Sequence, residues 1–420
     1  MNAVRRRALG LIVLFGALAF VQSFTEPTEG LPAQPARALL KASGRGDRRV
    51  TGFVAILAIP WILKPLYGLI SDFLPLAGSR RKGYLLATAA LAAVGFFAAE
   101  VSPVSGLLGW LLLSTLAVAF ADVVADALMI EVGGPLGLIG RLQAAQWTAF
   151  WAASIYAGRR GGELSESGRQ PAAFAICGWL SLATLGIALA LVRDPPKPAT
   201  GGGAIAAWKA AKASLRSPGL RAVGAFLFLW NFNPFSNAIL YLHLTKALGF
   251  GEEDFGNLQT LYAAASLAAS LAYGAISRRI SMSTLVRASI PLGVVSNLAY
   301  WTLVGPRSAV VVTLFAGFTY MTATLIQLDL AASSCPPAAA GTVFATLMAL
   351  ENLAASLSTV LGGVCYESGT AHWGTRGSFL ALVGLGAAFT AGCWFLLPWL
   401  NAEVIAKNGP LKSGKSLKSG

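Results

Sequence analysis

Apolar runs of roughly 20 residues, the length that crosses a bilayer core about 30 Å thick, recur twelve times along the 420 residues. They begin near Leu9, Val50, Tyr84, Leu107, Gln143, Ala172, Leu220, Leu258, Leu285, Ala309, Thr342 and Ser378. In lipid each backbone amide must be satisfied inside its own segment, so a chain built of such runs folds as a bundle of helices. Charge is correspondingly scarce: 12% of residues are charged and 55% hydrophobic, against about 25% charged in a soluble domain. The sequence predicts an all-α, multi-pass membrane protein in contact with the lipid bilayer.

A formal net charge of +14 could suggest nucleic acid, but its placement argues otherwise. With the N-terminus inside, the inner loops and tails hold 20 Lys/Arg and the outer loops 11, and Lys64 lies within a span. That bias follows the positive-inside rule, so the basic charge orients the chain and no nucleic-acid partner is expected. The N-terminal "RRRALGLIVLFGALAF" also mimics a signal peptide. It is read as a retained first helix, because its loss would disturb the internal repeat. Cys177, Cys335, Cys365 and Cys393 stand alone within or beside apolar runs, so neither a disulfide framework nor a metal site is indicated. With two histidines and no nucleophile or metal motif, the chain is not expected to be an enzyme or to hold a cofactor.

The chain is written twice. "KASG" at Lys41 returns as "KALG" at Lys246, and "YGLIS" at Tyr67 returns as "YGAIS" at Tyr273, each followed by a basic turn. The stretch from Arg193 to Arg221, "RDPPKPATGGGAIAAWKAAKASLRSPGLR", has the prolines, glycines and basic tail of a linker. The expected organisation is an N-terminal six-helix bundle over 1–193, a cytoplasmic linker over 194–218, a C-terminal six-helix bundle over 219–402 and a basic cytoplasmic tail over 403–420. Two such pseudo-symmetric bundles, twelve transmembrane helices in all, are the organisation of major facilitator transporters, with the site at the repeat interface.

The stretch "KPLYGLISDFLPLAGSRRKGY" fits this scheme. Gly68, Asp72, Gly78, Arg80 and Arg81 follow the order of the superfamily's loop between helices two and three, with three extra residues. Asp72, at a helix end, can bond the arginines or cap a neighbouring helix's N-terminus. Solvated loop charges are the alternative for Arg80 and Arg81. The resemblance to other major facilitators implies a gating role for Asp72, Arg80 and Arg81. Asp329, near the inner end of the tenth span, is expected to pair with the basic "SRRI" turn at Ser277–Ile280 and is grouped with the gate.

Longer blocks resemble the folate–biopterin transporter family: "PWILKPLYGLISDFLPLAGSRRKGYL" (60–85), "AFADVVADALMIE" (119–131), "RLQAAQW" (141–147, carrying Gln143 and Trp147), "FLFLWNFNPFSNAILYLHLTKALGFGEEDFG" (226–256) and "GTVFATLMALEN" (341–352). The chain departs from the family at Ala340, where an acid is usual, and at Glu351, where a small residue is common. Its first helix, with "EPTEGLPAQP", looks closer to the related muropeptide-permease branch. The resemblance implies a carrier of a pterin, folate or similar organic anion, expected to be proton-coupled, monomeric and placed in a plasma or inner membrane, with an organelle membrane as the alternative. A carrier of a muropeptide or organic acid, and a non-transporting assembly factor on the same fold, are the rival readings.

Charges at bilayer depth cost several kcal/mol unless paired or facing water, so each is a functional candidate. Lys64 lies eight residues before Asp72, about 12 Å of helix rise. Asp122 and Asp126, spaced i, i+4, share one face of the fourth span at a matching depth. A Lys64–Asp122/Asp126 cluster is expected, either as a fixed salt bridge between the second and fourth spans or as a site for protons or a substrate carboxylate. Glu26, Glu29 and Gln34 lie in a Pro/Gly-rich break. It either interrupts one long first helix near its middle or forms a plain outer loop. Asn233, Asn237 and Tyr241, at i, i+4, i+8 in the seventh span, would form an amide–aromatic stripe suited to a flat heterocycle, or interhelical hydrogen bonds. Glu351, deep in the eleventh span, and Gln143 complete the candidates, and His243 is read as interfacial.

Overall fold

The computed structural model describes residues 3–44, 47–193, 209, 212–214, 216–235, 239–240, 243–336 and 339–400. Helices follow in the order α1 (Ala3–Thr25), α2 (Ala33–Ala42), α3 (Asp47–Ile62), α4 (Lys64–Phe73), α5 (Lys82–Val101), α6 (Leu107–Gly133), α7 (Ile139–Glu166) and α8 (Gln170–Leu191). The second half continues with α9 (Pro218–Asn231), α10 (Glu252–Ile276), α11 (Met282–Ala299), α12 (Pro306–Ser334) and α13 (Ala340–Gly392). No strand occurs among the described residues. The expected runs coincide with these helices, the first two as interrupted pairs, the seventh only as far as Asn231, and the last two as the limbs of α13. Six described helices are long and apolar enough to cross a membrane unaided, and α3 with α4 makes a seventh.

The interruptions follow from proline and glycine. Pro60 lies inside α3 and Pro65 in the first turn of α4. Each lacks an amide proton, and a proline ring clashes with the carbonyl four residues back. The axis accordingly bends by 45° between residues 62 and 64, so Lys64 opens a new helix at a kink rather than riding a continuous one. Between α1 and α2, Pro27, Gly30 and Pro32 end the helix, and the turn closes through Gly30 N–H to Glu26 O at 2.8 Å and Leu31 N–H to Phe24 O at 2.8 Å. Both α1 and α2 pack on α7, so the break between them lies against the bundle rather than in a free loop. At Gly374 φ is 70°, a value glycine reaches without Cβ strain. There the chain folds back, bringing Ser378 Oγ against Gly369.

Two described helices of the second half start on a serine cap. Ser217 Oγ accepts from Leu220 N–H at 3.2 Å with Pro218 next, and Ser281 Oγ accepts from Thr284 N–H at 3.2 Å. Each cap satisfies a terminal amide.

The core is asymmetric along the bundle axis. At the end bearing the Arg80–Arg81 and Arg278–Arg279 turns (the basic end), one continuous core joins both halves, with Met129 and Leu142 from the first and Tyr273, Leu328 and Val343 from the second. At the far end each half has a core of its own, around Phe96 and Phe174 in the first and Leu303 and Phe379 in the second. The molecule is sealed at the basic end and divided at the far end. His243 belongs to that far core: it is buried and stacks on Phe379 at 3.8 Å, not at an interface with solvent.

Candidate functional site

Three polar constellations lie along the interface between the halves. The first is the seal at the basic end. Asp72 ends α4 with its side chain fully buried. Its Oδ2 accepts from Thr342 N–H at 2.6 Å and Thr342 Oγ1 at 2.7 Å. Its Oδ1 accepts from Gly341 N–H at 3.3 Å and from Arg81 Nη2 at 2.6 Å. Asp72 therefore caps the start of α13, where free amides and the helix dipole favour an anion, and ties the halves together.

Arg81, also without exposed surface, bridges Asp72 to Glu131 Oε1 at 2.6 Å and donates to Ser71 Oγ at 2.9 Å. Arg80 reaches Glu131 at 3.0 Å and Asp72 at 4.0 Å. The arginines are thus paired rather than solvated. Glu131 was legible only as the last letter of a quoted block, since an acid at the end of an apolar run does not reveal its partner. The helices meet at backbone distance: a Cβ on Gly68 would lie 2.5 Å from Gly341 O.

Asp329 behaves differently from its expected pairing. It accepts from Tyr273 OH at 2.9 Å and Ser333 Oγ at 3.2 Å, and its carboxylate abuts Gly140 at the start of α7. Arg278 and Arg279 are exposed, and no described ion pair joins them to Asp329. The basic turn points to water, while Asp329 faces back into the bundle.

The second constellation surrounds Lys64. Its Nζ lies 2.8 Å from Asp122 Oδ2 and 4.6 Å from the Trp61 ring centroid, so an ion pair and a cation–π contact hold the ammonium. Asp126, one turn further along α6, instead accepts from Gln146 Nε2 at 3.2 Å while feeling both Lys64 and Asp122. Glu351 also lies in the electrostatic field of Lys64, and its Oε2 is buried without a hydrogen-bond partner. One cation thus faces three carboxylates.

Trp61 extends this group outward. Its Nε1 donates to Glu26 Oε1 at 3.3 Å, and Glu26 Oε2 accepts from the Thr28 and Glu29 amides at 2.9 and 2.6 Å. Glu26 is buried at the break, whereas Glu29 and Gln34 are exposed. Gln34 sits beside Gly161 of α7. Of the three break residues, only Glu26 joins the Lys64 group. Gln143 is buried on α7 with its Nε2 unpartnered, and no described contact links it to that group.

The third is a cavity of about 500 Å³, walled by Trp151 of the first half and by Trp230, Tyr262, Tyr300 and Tyr320 of the second. Asn233 lines it, but not as part of a helical stripe. Helix α9 stops at Asn231, because Pro234 cannot supply the next helical amide. The Asn233 amide donates to Asn297 Oδ1 at 3.0 Å and accepts from Phe235 N–H at 3.1 Å. Its role here is interhelical bonding and closing the break. Asn237 and Tyr241 lie outside the described residues.

The sequence model of the BT1 family matches residues 47–385, most of the chain. A folate-biopterin transporter from Synechocystis sp. is 29% identical over 357 residues, covering 79% of this chain and 69% of that protein. The structure of the human organic anion transporter MFSD10 superposes with a TM-score of 0.68 at 18% identity, over 94% of this chain and 100% of that one. A major facilitator superfamily proton:xylose symporter, XylE, superposes with a TM-score of 0.66 at 13% identity, over 94% and 96%. At such identities these likenesses speak for the major facilitator fold alone.

Proposed function

Because the chain belongs to the BT1 family and is a multi-pass membrane transporter of a small molecule with the major facilitator fold, we propose that it carries a pterin- or folate-like organic anion, coupled to protons, by alternating access. The observation that carries this reading is the excess of carboxylates over cations around Lys64. Lys64 is charge-balanced by Asp122 at 2.8 Å, which leaves Asp126 without a cation of its own. A carboxylate at bilayer depth that no cation pairs is a candidate proton carrier, and helix rocking would alternate its exposure between the two sides. Lys64 is assigned to the substrate's anionic group, Asp126 to the proton, and Asp72, Arg80, Arg81 and Asp329 to the gate at the basic end.

The sealed basic end and divided far end support a carrier open toward the far side. The name of the Synechocystis relative supports the substrate class. Reconstituted protein should accumulate radiolabelled folate or pterin when a pH gradient is imposed and only equilibrate it without one. Asp126→Asn should keep counterflow exchange and lose pH-driven accumulation. Full accumulation by both Asp126→Asn and Asp122→Asn would place the coupling acid elsewhere.

A further inference from the structure

Glu351 has a position that the coupling scheme does not use. Asp72 bonds the Thr342 amide and so fixes the register between α4 and α13. Counting away from that anchor, Lys64 is eight residues up α4 and Glu351 nine residues up α13, about 12 and 13–14 Å. The two side chains therefore lie at one depth, on opposite halves. Lys64 is already engaged by Asp122 at 2.8 Å.

On its own helix, Glu351 shares a face with Ala355, Ser358 and Thr359 at i+4, i+7 and i+8, and all three line the cavity. Tyr320, another lining residue, lies in the field of Glu351. Glu351 thus lies one turn from the cavity lining, on its basic-end side, with a buried oxygen that no described donor fills.

A carboxylate accepts two parallel N–H bonds from any group that presents them side by side. Among flat molecules that fit a cavity of about 500 Å³, a ring with an amino group beside a ring N–H, as in a 2-aminopyrimidinone, presents that pair. The surrounding rings supply the faces: Trp151 and Tyr262 meet edge to face at 6.1 Å, and Tyr262 and Tyr320 lie 6.5 Å apart. Leaving the orphan oxygen unpaired, or opposing it with another acceptor, is costly in such a site.

We propose that Glu351 is the specificity-determining acceptor of this transporter, reading the amino/N–H edge of a 2-aminopyrimidinone-type ring held in the aromatic cavity. This rests on the reading of the cargo as pterin-like and adds which edge is recognised and by which residue.

The test is binding to full-length protein in detergent, followed by quenching of tryptophan fluorescence, with pterin and with lumazine, in which oxygen replaces the 2-amino group. Wild type should bind pterin more tightly by roughly ten- to a hundredfold, the range for a hydrogen bond to a charged group. Glu351→Gln should bring the two ligands within a few fold of each other. Glu351→Asp, which keeps the charge and withdraws it by one methylene, should retain part of the preference. If wild type binds neither ligand, the pterin-like reading itself fails. If wild type prefers pterin and Glu351→Gln or, should that variant not fold, Glu351→Ala prefers it undiminished, the assignment of Glu351 is overturned while that reading stands. Loss of pH-driven uptake in Glu351→Gln with the preference unchanged would equally overturn it.

Discussion

In the first half, Tyr67–Ser71 leads into Asp72, a buried carboxylate that caps α13 and binds Arg81. In the second, the matching Tyr273–Ser277 leads into Arg278, which is exposed, and the nearby acid, Asp329, is supplied by α12. The tyrosines differ as well. Tyr67 OH is buried with no partner and its ring stacks on Phe120 at 4.9 Å, whereas Tyr273 OH donates to Asp329. The glycines differ in tightness: Gly68 meets the Gly341 backbone, and Gly274 meets only the Ala144 methyl. One repeated word therefore serves two latches, an ionic one with no spare volume and a hydrogen-bonded one with some. The lesson is that the halves do not contribute equally to holding the basic end shut.

The largest effect should come from breaking the ionic latch. Arg81→Met removes the buried guanidinium that Asp72 and Glu131 share and leaves them only Arg80, at 4.0 and 3.0 Å, a change of the kind that costs up to about 3–5 kcal/mol. The melting temperature in detergent should fall markedly. An unchanged melting temperature would show that the ion pairs are dispensable. Gly68→Ala is expected next, because its methyl would enter the Gly341 backbone, which has no flexible end to yield. The partner variant Gly274→Ala meets a Cβ at 3.1 Å and should be much milder. Equal effects on melting would erase the asymmetry.

Smaller again is Tyr273→Phe, which strips one donor from Asp329 and should cost about 1–3 kcal/mol. Tyr67→Phe should be neutral or slightly stabilising, because the hydroxyl it removes is buried and unpaired. If Tyr67→Phe destabilises as much as Tyr273→Phe, Tyr67 has a partner in another state of the transport cycle. Measuring both by the same unfolding assay, with and without substrate, sharpens the contrast.

How far these features were legible depended on the kind of information each needs. Apolar length and the repeated Tyr-Gly-x-Ile-Ser word specify spans and halves, because the bilayer sets the length and duplication keeps the order. Lys64 and Asp122 were paired from depth alone, which works where both helices exit at the same face. Depth is silent on azimuth: it brings Asp122 and Asp126 to Lys64 together but does not tell that Asp122 takes the ion pair while Asp126 accepts from Gln146 of α7. Asp329 was matched to the "SRRI" turn from its place near the inner end of its span, although Arg278 and Arg279 are exposed. The Asn233 stripe assumed 3.6-residue periodicity through Pro234, where the periodicity ends; the proline was the warning. Glu131 required knowing that α4, α5 and α6 converge on one buried guanidinium.

The connection at Gly374 bears on how force moves through the molecule. Residues 340–373 and 375–392 are joined by one left-handed glycine, so the hairpin has no slack. The Asp72 cap grips the first limb at its foot, and in the proposed rocking a tilt there would have no loop in which to dissipate and would pass to the second limb. In that rocking the two limbs would move as one lever. Inserting a flexible Gly-Ser stretch after Gly374 would give that lever a slipping joint, so unlatching the basic end would no longer move the opposite mouth.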